Sequence, residues 1–207
     1  LFYHEVNLVK GLAELSKDYS YRYSVISLLG LSKEINDSQN EIDLHETFSV
    51  LIDAKEKASF GDLGLLLWLN YRLDETKEAI IIDEIKKRQT IGTFSKLITF
   101  ELAWLLTGLS VYRVAQGNDL ANLAYSVFDF LKSNRISDTG LIYHNSGDIR
   151  RRFPNFASQI YTVHALSIFS RIFNDVSAKN LALRISRNLV SLQLPSGGWP
   201  WLYDADR

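Results

Sequence analysis

The C-terminal quarter of the chain constrains the fold most, because it joins two helical patterns of different character. Residues 155–173 are almost entirely apolar and leave no wide polar face, so a helix here must be covered on most sides. Residues 178–193 instead carry a single apolar stripe at three-to-four spacing, made of Leu181, Ile185, Leu189 and Leu192. The two patterns predict an inner and an outer helix in an antiparallel hairpin, with Ser177 as the N-cap of the outer helix.

The same alternation runs through the rest of the chain. Three richly apolar segments predict further inner helices, namely residues 19–35, 63–73 and 100–114. Three segments with one apolar stripe each predict outer helices, namely residues 44–57, 80–91 and 121–134. Residues 6–15, with leucines at positions 8, 12 and 15, predict a short amphipathic helix. No segment shows the two-residue alternation that is typical of strands.

A short internal repeat indicates an array of helix pairs. The string LLGLS at residues 28–32 recurs as LTGLS at residues 106–110, so Gly30 and Gly108 occupy equivalent places, where inner helices are expected to approach closely. The predicted fold class is all-α, an α/α toroid or an open arc of antiparallel helical hairpins, in a single domain over residues 1–207. A closed toroid has more hairpins than these, so the arc is expected to lack its C-terminal part and to pair with a second copy through its exposed apolar edges.

Composition narrows the class of protein. Hydrophobic residues make up 46% and charged residues 23%, as in an ordinary globular domain, and no run of eighteen apolar residues predicts a membrane span. The formal net charge of −1 argues against a nucleic-acid partner. Without cysteine, and with four histidines that lack ligand spacing, the sequence predicts no metal and no cofactor. The chain starts at Leu1 and contains no methionine, which indicates a piece of a longer protein; its compartment is left open, with the cytoplasm slightly favoured.

Two loops attract a functional interpretation because both follow an outer helix, so in a ring of hairpins they share one rim. The long insertion of residues 135–156 contains His144 and Asp148, which form a candidate acid/base pair, and Arg151 and Arg152, which suit an anionic or polyhydroxylated ligand. These arginines could equally form surface ion pairs, and the histidine could cap a turn. Glu101, at the start of an inner helix, is a third candidate catalytic residue, although an acidic residue there also favours the helix dipole.

Aromatic residues complete the predicted site. Trp199 and Trp201 lie in the loop SGGWPWLY, where two glycines and Pro200 hold them on a fixed turn. They either fill the gap between neighbouring hairpins or offer a flat face to a sugar or hydrocarbon. Tyr161 is a further candidate for substrate binding. His164, alone in an apolar helix, is more typical of a hydrogen-bonded core residue than of a catalyst.

The last loop also carries a family resemblance. Gln193, Gly197, Gly198 and Trp199, preceded by Leu189 and Leu192, resemble the QW repeat of terpenoid cyclases and their prenyltransferase relatives, which are α/α toroids. The string SGGWPWLY is also similar to the GGWPQ-type loop of some α/α-toroid pectate lyases. Both resemblances imply the same architecture, but they imply different chemistry.

Three functions therefore remain open. The first is the binding or processing of a carbohydrate or polysaccharide, uronates included, by a lyase-like or glycosidase-like protein, and it is the favoured one. The second is a terpenoid cyclase or prenyltransferase activity, although neither a DxDD nor a DDxxD motif occurs and Asp204 with Asp206 is the nearest approach. The third is a helical-repeat binding or scaffold module without catalysis. A cavity that combines carboxylates, arginine and tryptophan favours the first, a deep apolar one the second, and a filled centre the third.

Overall fold

The described part of the chain is helical apart from one small hairpin. The computed structural model describes Phe2 and residues 6–9, 12–15, 19–33, 43–116, 120–147 and 149–207, with only the backbone described at 6–9, 12–15 and 113–116. Its helices are α1 (Tyr21–Leu31), α2 (Leu44–Asp53), α3 (Phe60–Arg72), α4 (Glu78–Arg88), α5 (Thr93–Lys96), α6 (Thr99–Gln116), α7 (Ala121–Asn134), α8 (Phe156–Phe173) and α9 (Val176–Ser191). Short 3₁₀ turns cover Lys55–Lys57 and Ile149–Arg152.

Eight of these helices, all except the short α5, form four inner–outer pairs, as the sequence predicts. Helices α1, α3, α6 and α8 are the inner ones, and each packs against the next in that order. Helices α2, α4, α7 and α9 each pack on the inner helix that precedes them. The stripes of the outer helices face inward, with Phe48 and Leu51 of α2, and Val127 of α7, fully buried. The predicted all-α fold class is therefore confirmed for the helical body.

Two local predictions are wrong. Residues 6–15 are not a helix, because β1 (Val6–Val9) and β2 (Leu12–Leu15) form an antiparallel hairpin in which Val6 lies opposite Leu15. The β-branched Val6 and Val9 favour strand, and Gly11 weakens a helix. The N-cap of α9 is Asp175, whose side chain accepts from the backbone N–H of Ala178 at 2.8 Å, and Ser177 lies inside the first turn.

Close contact between α3 and α6 depends on glycines. A Cβ atom on Gly108 would lie 1.9 Å from the carbonyl oxygen of Gly64, and one on Gly64 would lie 2.5 Å from the backbone of Leu105. The predicted close approach is therefore correct at Gly108. At the equivalent Gly30 it is wrong, because an added Cβ would find no atom within 4 Å.

The loops at the N-terminal ends of the inner helices are joined into one rim, in agreement with the prediction. The backbone N–H of Thr99, the first residue of α6, donates to the carbonyl oxygen of His144 in the insertion at 2.8 Å. The insertion pairs in turn with the C-terminal segment, where Tyr203 donates to the carbonyl of Pro154 and Phe156 donates to that of Trp201. His144 and Trp199 thus lie at the same end of the helical body.

A buried cation anchors this rim. Arg135, at the start of the insertion, is fully buried and donates through Nη2 to the carbonyl oxygens of Leu97 at 2.6 Å and Phe94 at 3.2 Å. Burial and, to a smaller extent, the charge of the nearby Arg151 lower the pKa of the Arg135 guanidinium to about 10. The side chain therefore ties the insertion to α5 and to the residue that follows it.

Candidate functional site

The four inner helices enclose an open cavity of about 340 Å³, called the inner cavity below. Each inner helix contributes to its wall, which is mainly aliphatic and aromatic. The aromatic members are Trp68, Trp104 and Tyr161, and the polar and charged members are Lys33, Arg72, Thr107 and His164. A concave, mostly apolar space with a few polar groups is the usual form of a small-molecule site.

Helical spacing explains why these side chains share the cavity. On α3, Leu65, Trp68 and Arg72 are three and four residues apart and so lie along one face. On α8, Ile160 and His164 are four residues apart and also share one face. The wall of the cavity is therefore built from single faces of inner helices, while their other faces pack in the core.

Aromatic contacts define the shape of the cavity wall. The rings of Trp104 and Tyr161 meet edge to face at 5.2 Å, and the rings of Trp68 and His164 lie 5.6 Å apart. His164 is exposed to the cavity, and the apolar surroundings lower the pKa of its imidazole, with the charge of Lys33 as a second cause. The interpretation of His164 as an ordinary core residue is therefore wrong, because the side chain faces an open space rather than a filled one.

A carboxylate pair lies one helical turn from the cavity, toward the rim. Arg22 donates through Nε to Asp62 and through Nη2 to Glu101, both at 3.0 Å. Its guanidinium also lies 5.0 Å from the ring centre of Trp104, which lines the cavity. One arginine thus joins two inner-helix carboxylates to the aromatic wall.

The starts of α3 and α6 place these carboxylates together. Asp62 occupies a capping box, in which its Oδ2 accepts from the backbone of Ser59 at 2.9 Å and its own N–H donates to the Ser59 hydroxyl. Glu101 is brought close because Gly61 has no side chain, and a Cβ there would lie 2.7 Å from the Cα of Glu101. Asp62 is nearly fully buried and Glu101 is 14% exposed, so Glu101 has the better access to a ligand.

Two of the predicted site residues lie at or near the inner cavity. Tyr161 is part of its wall, and Glu101 belongs to the adjacent carboxylate pair. Both come from inner helices rather than from the loops that attracted the functional interpretation.

The predicted acid/base pair lies elsewhere. His144 is half-buried in the rim, where its carbonyl oxygen accepts from Thr99 and its N–H donates to the carbonyl of Arg151 at 3.0 Å. Asp148 lies outside the described residues, so the pairing of its carboxylate with His144 stays a prediction. The hydrogen bond from Thr99 to the carbonyl oxygen of His144 fixes the first residue of α6, which lies two residues before Glu101.

The arginines of the insertion already have partners. Arg152 donates to both carboxylate oxygens of Asp204, at 2.6 and 2.5 Å, and thereby ties the insertion to the C-terminal segment. This hydrogen bonding raises the pKa of Arg152 and lowers that of Asp204. The guanidinium of Arg151 stacks 3.9 Å from the ring centre of Tyr143. These contacts favour structural roles.

The two tryptophans of the last loop differ from each other. Trp199 packs 5.5 Å from the ring of Phe156 at the start of α8 and donates through Nε1 to the carbonyl of Leu189. It therefore packs between α8 and α9, within one hairpin rather than between neighbouring hairpins as the packing alternative predicts, and 40% of its surface stays exposed. Trp201 is 68% exposed on the rim.

Sequence reasoning did not identify Lys33, Asp62, Trp68, Arg72 or Trp104. A signal was present for Asp62, because Ser59 and Asp62 have the spacing of a capping box. Trp68 and Trp104 looked like ordinary members of apolar inner helices. Within the described ranges, no group of three acidic or histidine side chains is arranged to hold a metal ion, and no helix is long and apolar enough to cross a membrane.

The chain is similar to a solved structure in fold, but it matches no family or curated protein by sequence. No protein-family model matches the chain, and no curated protein matches it by sequence. Among solved structures, it is similar to the unsaturated glucuronyl hydrolase from Bacillus sp. GL1, which is responsible for the degradation of glycosaminoglycan, with a TM-score of 0.68 at 15% sequence identity. The match covers 97% of this chain and 64% of that enzyme, so the chain spans less than two thirds of the enzyme's length. The fold is that of an α/α toroid, in agreement with the resemblance of the last loop to toroid families.

Proposed function

We propose that the chain binds and processes a carbohydrate whose sugar rings occupy the inner cavity. The observation that carries this proposal is the meeting of flat aromatic surface, from Trp68 and Tyr161, with the imidazole of His164 in one open space. A sugar ring has an apolar face that packs on an aromatic ring and hydroxyl groups that need hydrogen-bond partners. Tyrosine, tryptophan and histidine side chains supply both kinds of contact.

The structural neighbour supports this assignment without fixing a substrate. The Bacillus enzyme with the same fold acts in the degradation of glycosaminoglycan, which is a carbohydrate polymer. The inner cavity argues in the same direction, because a toroid that served only as a scaffold would have a filled centre. Uronate-containing polymers are the favoured substrates within this proposal.

The processing step is proposed to be hydrolysis of a glycosidic bond. Glu101 would act as the acid/base, since its carboxylate is partly accessible, and Asp62 with Arg22 would hold it in place. Asp62 would act through Arg22 rather than on the bond itself, because one guanidinium binds both carboxylates and Asp62 is nearly fully buried. Arg151, Arg152, Trp199 and Trp201 would then contact the ligand only where it leaves the rim.

Binding is tested by substitution of Tyr161 and a matched control. Tyr161→Ala removes an aromatic wall worth about 1 kcal/mol, so the Kd for an oligosaccharide should rise roughly fivefold. Tyr71→Ala changes a tyrosine of similar exposure, 44% against 37%, that lies outside the inner cavity, and it should leave the Kd unchanged. If calorimetric titrations gave the same change in Kd for both substitutions, the inner cavity would be excluded as the binding site.

Catalysis is tested separately with Glu101→Gln, which keeps the shape of the side chain. Release of reducing ends from an oligosaccharide should fall by about 10² to 10⁴, the usual contribution of a general acid or base, while the Kd stays within about twofold. A variant that retains full activity would exclude Glu101 from this role. His144→Asn tests the alternative acid/base assignment in the same assay.

An isoprenoid ligand is the second candidate, favoured by the aliphatic part of the wall. Ile26, Leu29, Leu65 and Ile160 all face the inner cavity. The Gln193 side chain of the QW-like segment donates to the carbonyl of Gly197 at 2.7 Å and closes a turn there. Titration with farnesyl diphosphate separates the candidates, since tight binding of this probe without any binding of oligosaccharides would favour the isoprenoid function.

A further inference from the structure

The end of the inner cavity farthest from the carboxylate pair carries two cations. Lys33 follows the C-terminal end of α1, and Arg72 is the last residue of α3. Both side chains belong to exposed residues. Arg72 is held in place because one of its Nη atoms donates to the carbonyl oxygen of Ser32 at 3.0 Å, which leaves its other donors available to a ligand.

No acidic side chain among the described residues balances the charge at this end of the inner cavity. Among the described residues that line the cavity there is no aspartate or glutamate. Neither Lys33 nor Arg72 forms an ion pair with any described residue. The field of Lys33 also reaches His164, where it adds to the lowering of the imidazole pKa. The described wall of the cavity therefore carries excess positive charge beside its apolar surface, which favours a ligand with a matching negative charge.

The geometry sets a minimum length for such a ligand. Asp62 and Arg72 are separated by ten residues of the same helix, a rise of about 15 Å at the usual 1.5 Å per residue. A ligand that reaches from the carboxylate pair to the two cations must span that distance. It is therefore an oligosaccharide with an acidic group away from the bond near Glu101.

We infer that Lys33 and Arg72 are specificity residues that select an acidic oligosaccharide by binding a sugar carboxylate at the far end of the inner cavity. This inference rests on the proposed carbohydrate function and assigns the residues that recognise the acidic group of its substrate. It assigns recognition of the acidic group to the cavity rather than to the insertion, because Arg152 is bound by Asp204 and Arg151 is stacked on Tyr143. A guanidinium and an ammonium are the groups that bind carboxylates most strongly in proteins.

The experiment uses pairs of ligands that differ only in charge. A panel of galacturonate, mannuronate and glucuronate oligosaccharides of two to four residues is titrated calorimetrically against the chain, and each member is compared with its methyl-ester derivative. The acid should bind about tenfold more tightly than the ester, and the difference should shrink as salt is raised. The preference should also grow from two residues to three or four, because the shorter ligand cannot span the cavity.

Substitutions locate the source of that preference. Lys33→Gln and Arg72→Gln should each weaken binding of the acid about threefold, so that the two together account for the roughly tenfold preference, and each should leave binding of the ester unchanged. Lys86→Gln, which removes an exposed lysine on the outer helix α4, should change neither. Arg151→Gln should leave the ratio of acid binding to ester binding unchanged. Circular dichroism melting of each variant checks that the fold is intact.

The possible results distinguish a failure of the specificity inference from a failure of the proposed carbohydrate function. Equal binding of acids and esters, or a preference that survives Lys33→Gln and Arg72→Gln but is lost with Arg151→Gln, would overturn the inference and leave the carbohydrate function standing. Failure of every member of the panel to bind, acid and ester alike, would overturn both.

Discussion

Replacement of glycine by alanine at two equivalent positions should have opposite effects on stability. At Gly108, the new Cβ would lie 1.9 Å from the carbonyl oxygen of Gly64, whereas ordinary contact begins at 3.4 Å. Helices α3 and α6 would have to separate by about 1.5 Å along the contact that also places Glu101 beside Asp62. At Gly30, the Cβ would enter open space.

The magnitudes follow from these distances. Overpacking at Gly108 should reach the upper end of its usual range, about 3 kcal/mol, and the better helix propensity of alanine offsets about 1 kcal/mol of this. The net loss at Gly108→Ala is therefore about 2 kcal/mol. Gly30→Ala should gain about 0.5 to 1 kcal/mol because nothing opposes the propensity effect. For a chain of this size the melting temperatures of the two variants should differ by roughly 6 to 12 °C.

Urea unfolding followed by circular dichroism measures both variants under the same conditions. The midpoint of Gly108→Ala should fall below that of the unsubstituted chain, and that of Gly30→Ala should equal or exceed it. If Gly108→Ala were as stable as Gly30→Ala, the close contact between α3 and α6 would be refuted, and with it the placement of the carboxylate pair.

Three further predictions concern single residues. Asp175→Ala should lower the free energy of unfolding by about 1 kcal/mol because it removes the N-cap of α9, whereas Ser177→Ala should stay within about 0.5 kcal/mol, and equal losses in urea unfolding would contradict the cap assignment. Because the pKa of His164 is lowered in the folded state, the unfolded state binds its proton first, so stability should decrease as the pH falls below the ordinary value of 6.5. His164→Leu should reduce that decrease in thermal melts, and an unchanged pH profile would show that the imidazole is not shielded by the cavity wall. Arg152 is the chief cause of the lowered pKa of Asp204. The Asp204 carboxylate therefore stabilises the folded state at pH values above its ordinary pKa of 3.8, and this stabilisation is lost as the pH falls through the pKa of the folded state. Asp204→Asn should speed amide hydrogen exchange at residues 201–206, and protection equal to that of the unsubstituted chain would mean that the ion pair does not hold this segment.

The alternation of inner and outer helices could be predicted because the number of buried faces of a helix determines the spacing of its apolar residues. An outer helix needs one apolar stripe, and an inner helix needs apolar residues on several faces. Helix α4 illustrates this, since Ile81 and Ile85 are buried on one side while Ile80 is 40% exposed. The N-terminal hairpin was missed because three leucines at helical spacing outweighed the strand preference of Val6 and Val9.

The inner cavity could not be predicted from the spacing of apolar residues. A side chain that faces an open cavity and one that packs in the core occur at the same helical spacing and have the same apolar character. Trp68 and Tyr161 line the inner cavity, whereas Phe169 of the same helix as Tyr161 is fully buried, and no local pattern distinguishes them. His164 was assigned to the core for this reason.

The carboxylate pair could not be predicted because it is formed by residues that are far apart in the sequence. Arg22, Asp62 and Glu101 come from three different inner helices, and their meeting depends on the glycine contact between α3 and α6. The length and composition of the two loops make them conspicuous in the sequence, but neither property shows which side chains meet in space. In the structure, Arg152 and Trp199 mainly hold the rim together. The prediction that open edges of the arc pair with a second copy remains a prediction, as does the extent of the domain.

The central claim is that the inner cavity holds sugar rings, and a crystal structure of the chain grown with a galacturonate trimer tests it most directly. The account predicts electron density for sugar rings between Trp68 and Tyr161, with a carboxylate near Lys33 and Arg72. Density for the trimer on the rim beside Trp201, with the inner cavity occupied only by water, would contradict it.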